Sequence, residues 1–177
     1  MAGTKLTDKS ALDHLGTGDL LMVVDVSDTT GSTAGTSKKM DCKYSLITDK
    51  ISLSNGDITH LNTAPKKLVE TPNAGYMIVP ITFTILCTHN APDEGSSFDG
   101  YIGYDTTSTT QYLKQIRDLM NGSGSDRTYQ FSSNPGSLGT YQGSVEDKAL
   151  YLYSNGAFDG GWTADVYVTY HIAKVWA

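Results

Sequence analysis

The stretch Met77–Cys87 carries Met77, Val79, Ile81, Phe83, Ile85 and Cys87 at every second position, with Ile78, Pro80, Thr82, Thr84 and Leu86 between them. Alternation of period two with one wholly apolar face is the pattern of a half-buried β-strand. Such a strand cannot stand alone in water and needs a partner sheet, which the C-terminal segment offers. There Ala164, Val166, Val168, Tyr170 and Ile172 share one face, opposite Asp165, Tyr167, Thr169 and His171. The two segments read as inner strands of one β-sandwich, and the chain is arranged around the stretch Asp57–Asn90 that holds the first of them.

Upstream, Leu20–Val26 (LLMVVDV) is a nearly continuous apolar run, consistent with a strand covered on both faces. The Gly/Ser/Thr-rich segment after it reads as a long turn into a second strand near Lys39–Ile47, giving a hairpin with a floppy tip. A two-stranded ribbon is marginal in water and cannot shelter that much apolar surface by itself. Leu20, Leu21, Met22, Val23, Val24 and Val26 are therefore expected to be attachment residues, buried against another copy or another protein. The Asn55-Gly56 pair reads as a tight turn and sets the expected boundary between an arm, 1–56, and a sandwich, 57–177.

Further strands are expected at Ile58–Val69, interrupted by Ala64-Pro65, and at Phe98–Tyr104, Thr128–Phe131, Ala149–Tyr153 and Ala164–Val175. The spacing of Tyr112, Leu113, Ile116, Leu119 and Met120 predicts a single helix over Thr109–Met120, stopped by Asn121-Gly122 and plugging one end of the sandwich. The expected fold class is mainly β: an N-terminal arm and hairpin followed by a jelly-roll-like antiparallel β-sandwich with one short helix.

Chemistry is sparse. Abundant glycine (18) and tyrosine (11) with only 18% charged residues fit a turn-rich β-protein better than a helical enzyme. The 19 acidic side chains outnumber 13 Lys and Arg, for a net charge of −6, and no basic run could neutralise a phosphate track, so no nucleic-acid partner is expected. There is neither a secretory-type apolar core near the start nor a run long enough to span a membrane. The expectation is a chain made in the cytoplasm and soluble there, with no membrane partner.

Cys42 and Cys87 lack CxxC spacing and read as two reduced, buried thiols, with a disulfide between them left open. His14, His60, His89 and His171 are scattered singly, outside any metal-ligand spacing. No nucleophile elbow or Walker-type loop is present. Asp25 with Asp28, or Asp93, Glu94 and Asp99, could be drawn as a catalytic acid pair or a calcium site, but loop acids solvating turns are the simpler reading. No cofactor, no metal and no enzymatic activity are expected. Among the tyrosines, Tyr151, Tyr153 and Tyr167 are expected to face outward and to line a subunit interface.

Three stretches carry a resemblance. Leu15–Met40 (LGTGDLLMVVDVSDTTGSTAGTSKKM) resembles a segment common near the N-termini of fibre and accessory particle proteins of tailed bacteriophages. Ile58–Pro80 (ITHLNTAPKKLVETPNAGYMIVP) is similar to the opening of a small jelly-roll module in phage structural proteins, and ALYLYSN with GGWTADVYVTYHI to its closing strands. The resemblance implies a non-enzymatic virion component, a homotrimer held to the particle by its N-terminal part. The chain lacks the repetitive shaft of a long fibre, which favours a capsid decoration or cement protein whose partner is the major capsid protein or another virion protein. The alternative is a short tail fibre or head fibre that binds a host glycan or receptor.

Overall fold

A computed structural model describes residues 20–31, 33, 35–41, 46–91, 95, 97–104, 112–120, 124–132 and 144–175. Cys42, His14, Asp93 and Glu94 lie outside them, as do the first three positions of the expected helix. The chain divides into two compact units, Met1–Ile47 and Thr48–Ala177.

The first unit carries an antiparallel hairpin of β1 (Leu20–Asp25) and β2 (Thr36–Asp41), which form a two-stranded sheet of their own. The remaining strands are β3 (Ile47–Leu53), β4 (Lys66–Val69), β5 (Tyr76–His89), β6 (Gly100–Gly103), β7 (Lys114–Ile116), β8 (Arg127–Ser132), β9 (Leu150–Ser154) and β10 (Trp162–Lys174). They make a front sheet of order β3-β10-β5-β8 and a back sheet of order β4-β9-β6-β7. Numbering these eight strands from one, the orders are 1-8-3-6 and 2-7-4-5, the Greek-key pairing of a jelly roll. Because β3 is an edge strand of the front sheet, the sandwich takes in residues 48–56, which the Asn-Gly turn had assigned to the arm.

The two segments singled out by their alternation are hydrogen-bonded neighbours at the centre of the front sheet, paired from Trp162↔His89 to Lys174↔Tyr76. On β10, Trp162, Ala164, Val166, Val168 and Tyr170 are buried, as the alternation requires. On β5 the face changes along the strand. Phe83, Ile85 and Cys87 are buried as expected, but nearer the start it is Ile78 and Pro80 that are buried rather than Met77 and Val79. The register explains it: Thr169 pairs with Thr82 and Tyr170 with Pro80, so Ile81 is an extra, bulged residue. One inserted residue moves every side chain beyond it to the other face.

On β3, whose outer edge is free of a strand partner among the described residues, the inward-facing Asp49 accepts a hydrogen bond from the Tyr170 hydroxyl at 2.7 Å. Burial, then the neighbouring Asp49, pushes the Tyr170 hydroxyl pKa well up. An inward charge on an edge strand discourages pairing with a foreign strand, and here it has a partner.

The helix lies elsewhere than expected. α1 (Asn55–Thr59) begins at the Asn-Gly pair itself, because Ser54 and Asp57 form a reciprocal capping box: the Ser54 hydroxyl accepts from the Asp57 amide, and the Asp57 carboxylate accepts from the Ser54 amide. Its single buried residue, Ile58, sits in the core. Over 112–120 there is no helix. Lys114–Ile116 pair with β6, and Asp118 and Met120 adopt left-handed φ of 47° and 67°, which a helix cannot accommodate. Their amides are satisfied from outside, by an Asp99 carboxylate oxygen and the Tyr129 hydroxyl. Leu113, Ile116, Leu119 and Met120 are nevertheless all buried. The spacing reported burial correctly and the backbone conformation incorrectly.

Gly156, in the turn after β9, is required by a close approach: a Cβ there would meet the Phe98 ring at 2.2 Å. That ring packs edge-on against Phe158, with centroids 6.1 Å apart.

Candidate functional site

Two regions hold the residues marked by the sequence, and the first is the hairpin. Its register runs from Leu20↔Asp41 to Asp25↔Thr36, with Leu21 opposite Met40, Met22 opposite Lys39 and Val23 opposite Lys38. The side chains of Leu20–Asp25 lie outside the described residues, so Leu20, Leu21, Met22, Val23 and Val24 are placed by backbone register alone. Val26, just past the strand, is 75% exposed. Within the described residues β1 is paired along one edge only.

The hairpin tip, expected to be floppy, is tied down. The Asp28 carboxylate accepts from Lys38 Nζ at 2.5 Å and from the Thr30 hydroxyl and amide at 2.6 and 3.1 Å. Thr36 Oγ1 donates to the Asp28 carbonyl at 2.8 Å and accepts from the Gly31 amide at 3.3 Å. Lys38, then Thr30, holds the Asp28 carboxyl at a pKa of about 2. The local signal was the Asp-x-Thr order, which lets an aspartate bond the backbone two residues on. Low complexity in the letters concealed a specific turn, and Asp28 serves that turn.

The second region is the set of outward tyrosines. Tyr167 lies on the outer face of β10, half-buried, with Lys50 Nζ 5.8 Å from its ring centroid in cation–π range. Tyr151 is half-buried on β9, opposite Lys67 and Gly103. Tyr153 corrects the expectation that all three are accessible: it is only 1% exposed. Its ring stacks on Tyr101 of the neighbouring strand at 5.5 Å and 17°, and Tyr101 meets Tyr112 at 5.1 Å. A ring already buried within its own chain adds nothing to a subunit interface.

Asp99 is the hub beside these rings. One carboxylate oxygen accepts from Gln115 Nε2 at 2.6 Å and from the Tyr101 hydroxyl at 3.4 Å, and the other from the Asp118 amide at 2.9 Å. Gln115 Oε1 in turn accepts from the Tyr112 hydroxyl at 3.2 Å. Burial first, and then Asp99, raises the Tyr101 hydroxyl pKa. From the letters alone Asp99 reads as a loop acid or a member of a candidate acid cluster; the alignment of Tyr101 with Tyr153 across β6 and β9 depends on a strand pairing that no local pattern encodes.

The remaining candidates have structural roles. His60 Nδ1 is within 2.8 Å of the Gly56 carbonyl at the end of α1, and the His89 ring packs edge-on against Trp162 at 4.8 Å. Cys87 is a free, buried thiol, and burial pushes its pKa up to about 12, which keeps it protonated and unreactive. Among the described residues no three His, Cys, Asp or Glu side chains converge as metal ligands.

No protein-family model matches the chain, and no curated protein matches it. Solved structures give loose likenesses. A chain of the cyanophage Pam1 capsid asymmetric unit is similar at TM-score 0.37 and 10% identity, over 96% of this chain and 98% of that one. A cyclase from Fischerella sp. TAU is similar at TM-score 0.33 and 10% identity, over 90% and 100%. A chain of Israel acute paralysis virus is similar at TM-score 0.29 and 10% identity, over 97% and 96%. Viral proteins and an enzyme stand side by side in this group, and likeness at this level is one of coarse architecture.

Proposed function

We propose that the chain is a non-enzymatic structural component of a virus particle, of the capsid decoration or cement kind, with the hairpin as its clamp and the jelly roll displayed outward. The observation that carries the reading is the hairpin itself: a strand of apolar sequence that, among the described residues, is paired along a single edge, in a unit separate from the sandwich. A two-stranded ribbon is marginal in water, and one whose sequence is so apolar on one strand is expected to gain from contact with another molecule. The jelly roll adds support by analogy, since the fold hosts viral capsid domains as well as lectins and cupins. The resemblance of Leu15–Met40 to N-terminal segments of phage particle proteins points the same way.

On this reading the partner is the major capsid protein or another virion protein, the chain is a homotrimer, and its location is the virion. Many copies binding only the assembled lattice would stabilise it by mass action. The test is stoichiometry together with one substitution. Copy number in purified particles should scale with the number of capsomers, and Val24→Asp should abolish attachment while residues 48–177 stay folded. Equal loss of attachment and folding would overturn the clamp.

The second reading, a short tail or head fibre that binds a host glycan or receptor, is favoured by the exposed, hydroxyl-rich outer face of the front sheet. It expects few copies per particle and loss of adsorption in variants of that face. Neither reading expects release of reducing ends from host polysaccharide.

A further inference from the structure

The outer face of the front sheet holds a groove of about 510 Å³ where β3 meets α1, with Ser52, Asp57, Leu86, Thr88, Thr163 and Asp165 in its lining. Its polar groups form two pre-ordered pairs. Asp165 accepts from Ser52 Oγ at 2.6 Å and from Lys50 Nζ at 2.8 Å. Asp57 accepts from Ser54 Oγ at 2.7 Å and from Lys66 Nζ at 2.9 Å. Between them Thr163 and Thr88 face each other across β10 and β5, both exposed, and neither hydroxyl has a partner among the described residues. Leu86, next in line on β5, is 39% exposed and gives the groove an apolar patch.

We infer that this groove is a binding site for a neutral oligosaccharide. Each carboxylate has its own ammonium partner, so the two aspartates and two lysines cancel, and neither a cation nor a polyanion gains much from entering. A carboxylate has about four acceptor sites; Asp165 uses two, for Lys50 and Ser52, and Asp57 three, for Lys66 and the hydroxyl and amide of Ser54, so each still has room for a hydroxyl donor. The threonine hydroxyls can both donate and accept. A sugar presents hydroxyls that do the same along its edge and C–H groups on its face, matching the ring of polar groups around Leu86. The groups are held by the sheet before any ligand arrives, which lowers the ordering cost of binding. Lys50, then Ser52, lowers the Asp165 pKa, and Lys66, then Ser54, holds that of Asp57 at about 2, so both remain acceptors at neutral pH.

The inference rests on the second, glycan-binding reading and names its site; it is independent of where the hairpin docks, because it concerns the isolated chain in solution. The experiment is a titration of the ¹⁵N-labelled full chain with maltohexaose, isomaltohexaose and cellohexaose, followed by amide shifts, with calcium chloride and a heparin hexasaccharide as charged controls. At least one neutral oligosaccharide should shift amides clustered at Ser52, Leu86, Thr88, Thr163 and Asp165. Thr163→Val, which keeps the β-branched shape and removes one hydroxyl, should weaken that binding roughly three- to tenfold, the worth of one hydrogen bond. The unfolding midpoint should not change. Absence of shifts with all three sugars, shifts elsewhere, a response to the charged controls alone, or unchanged affinity in Thr163→Val would each overturn the proposal. Loss of particle attachment in Val24→Asp would leave it standing.

Discussion

The two sheets of the sandwich are built from the same alternating strands, yet their outer faces have opposite fates. On the front sheet the outward positions are Thr82, Thr84, Leu86 and Thr88 of β5, Thr163, Asp165, Tyr167 and Thr169 of β10, and Thr128 and Gln130 of β8, all exposed or half-exposed. On the back sheet the outward Tyr101 and Tyr153 are 4% and 1% exposed, locked into a stack with Tyr112 alongside and the Asp99 hub beside it. The outward Tyr167 of the front sheet is half-buried at the surface, whereas the outward Tyr101 and Tyr153 of the back sheet are core residues and their neighbour Tyr151 is half-buried. Outward direction fixes the face of the sheet, and only what lies over that face fixes the environment.

Substitutions should separate the faces by size of effect. Tyr153→Ala is expected to cost about 3–5 kcal/mol, as for other large-to-small changes in packed sites, whereas Tyr167→Ala should cost under about 1 kcal/mol. Urea unfolding of both variants checks the contrast, and equal costs would break it. Asp99→Ala, which leaves Gln115, the Asp118 amide and the Tyr101 hydroxyl without their acceptor, should cost about 2–3 kcal/mol. Asp165→Ala on the front, where the Lys50 pair is largely solvated, should cost about 0–1 kcal/mol. Double-mutant cycles between Asp99 and Gln115 and between Asp165 and Lys50 would sharpen that pair of values.

The smallest expected effect is on acid stability. Asp57 and Asp165 have folded-state pKa values below the ordinary 3.8, held down mainly by hydrogen bonds from Lys66 and Lys50. A carboxyl whose pKa is depressed on folding contributes stability that is complete above the unfolded value and is lost as pH falls through the folded one. The melting temperature should therefore decline between pH 4 and pH 2. Lys66→Met should flatten the part of that decline due to Asp57, and thermal melts by circular dichroism across the interval would show it. A melting curve for Lys66→Met parallel to that of the parent would remove Asp57 from the account.

Much of the fold was legible because burial on one face leaves a periodic trace. β10 and the second half of β5 were read correctly, as were the positions of β1, β6, β8 and β9 to within a few residues. The failures share a cause. The bulge at Ile81 is fixed by pairing with β10, the non-helical course of 113–120 by hydrogen bonds to Asp99, Phe98 and Tyr129, and the burial of Tyr153 by a neighbour more than fifty residues away in the chain. The capping box at Ser54 was local and could have been found, since Ser-x-x-Asp resembles the usual Ser-x-x-Glu signal, but the Asn-Gly pair inside it was read as a turn.

Of the functional surfaces, the apolar hairpin strand was visible in the letters and the groove was not, because its residues come from β3, α1, β5 and β10 and meet only once the front sheet forms. The sequence by itself determined that the chain would be a β-protein with an apolar strand in its N-terminal arm, because alternation and composition act through local geometry and total burial. The tertiary structure alone decided the strand order, the point where β5 changes face and which tyrosines are sealed. Those depend on which distant residues share a hydrogen-bonded register, and register is a property of pairs of strands.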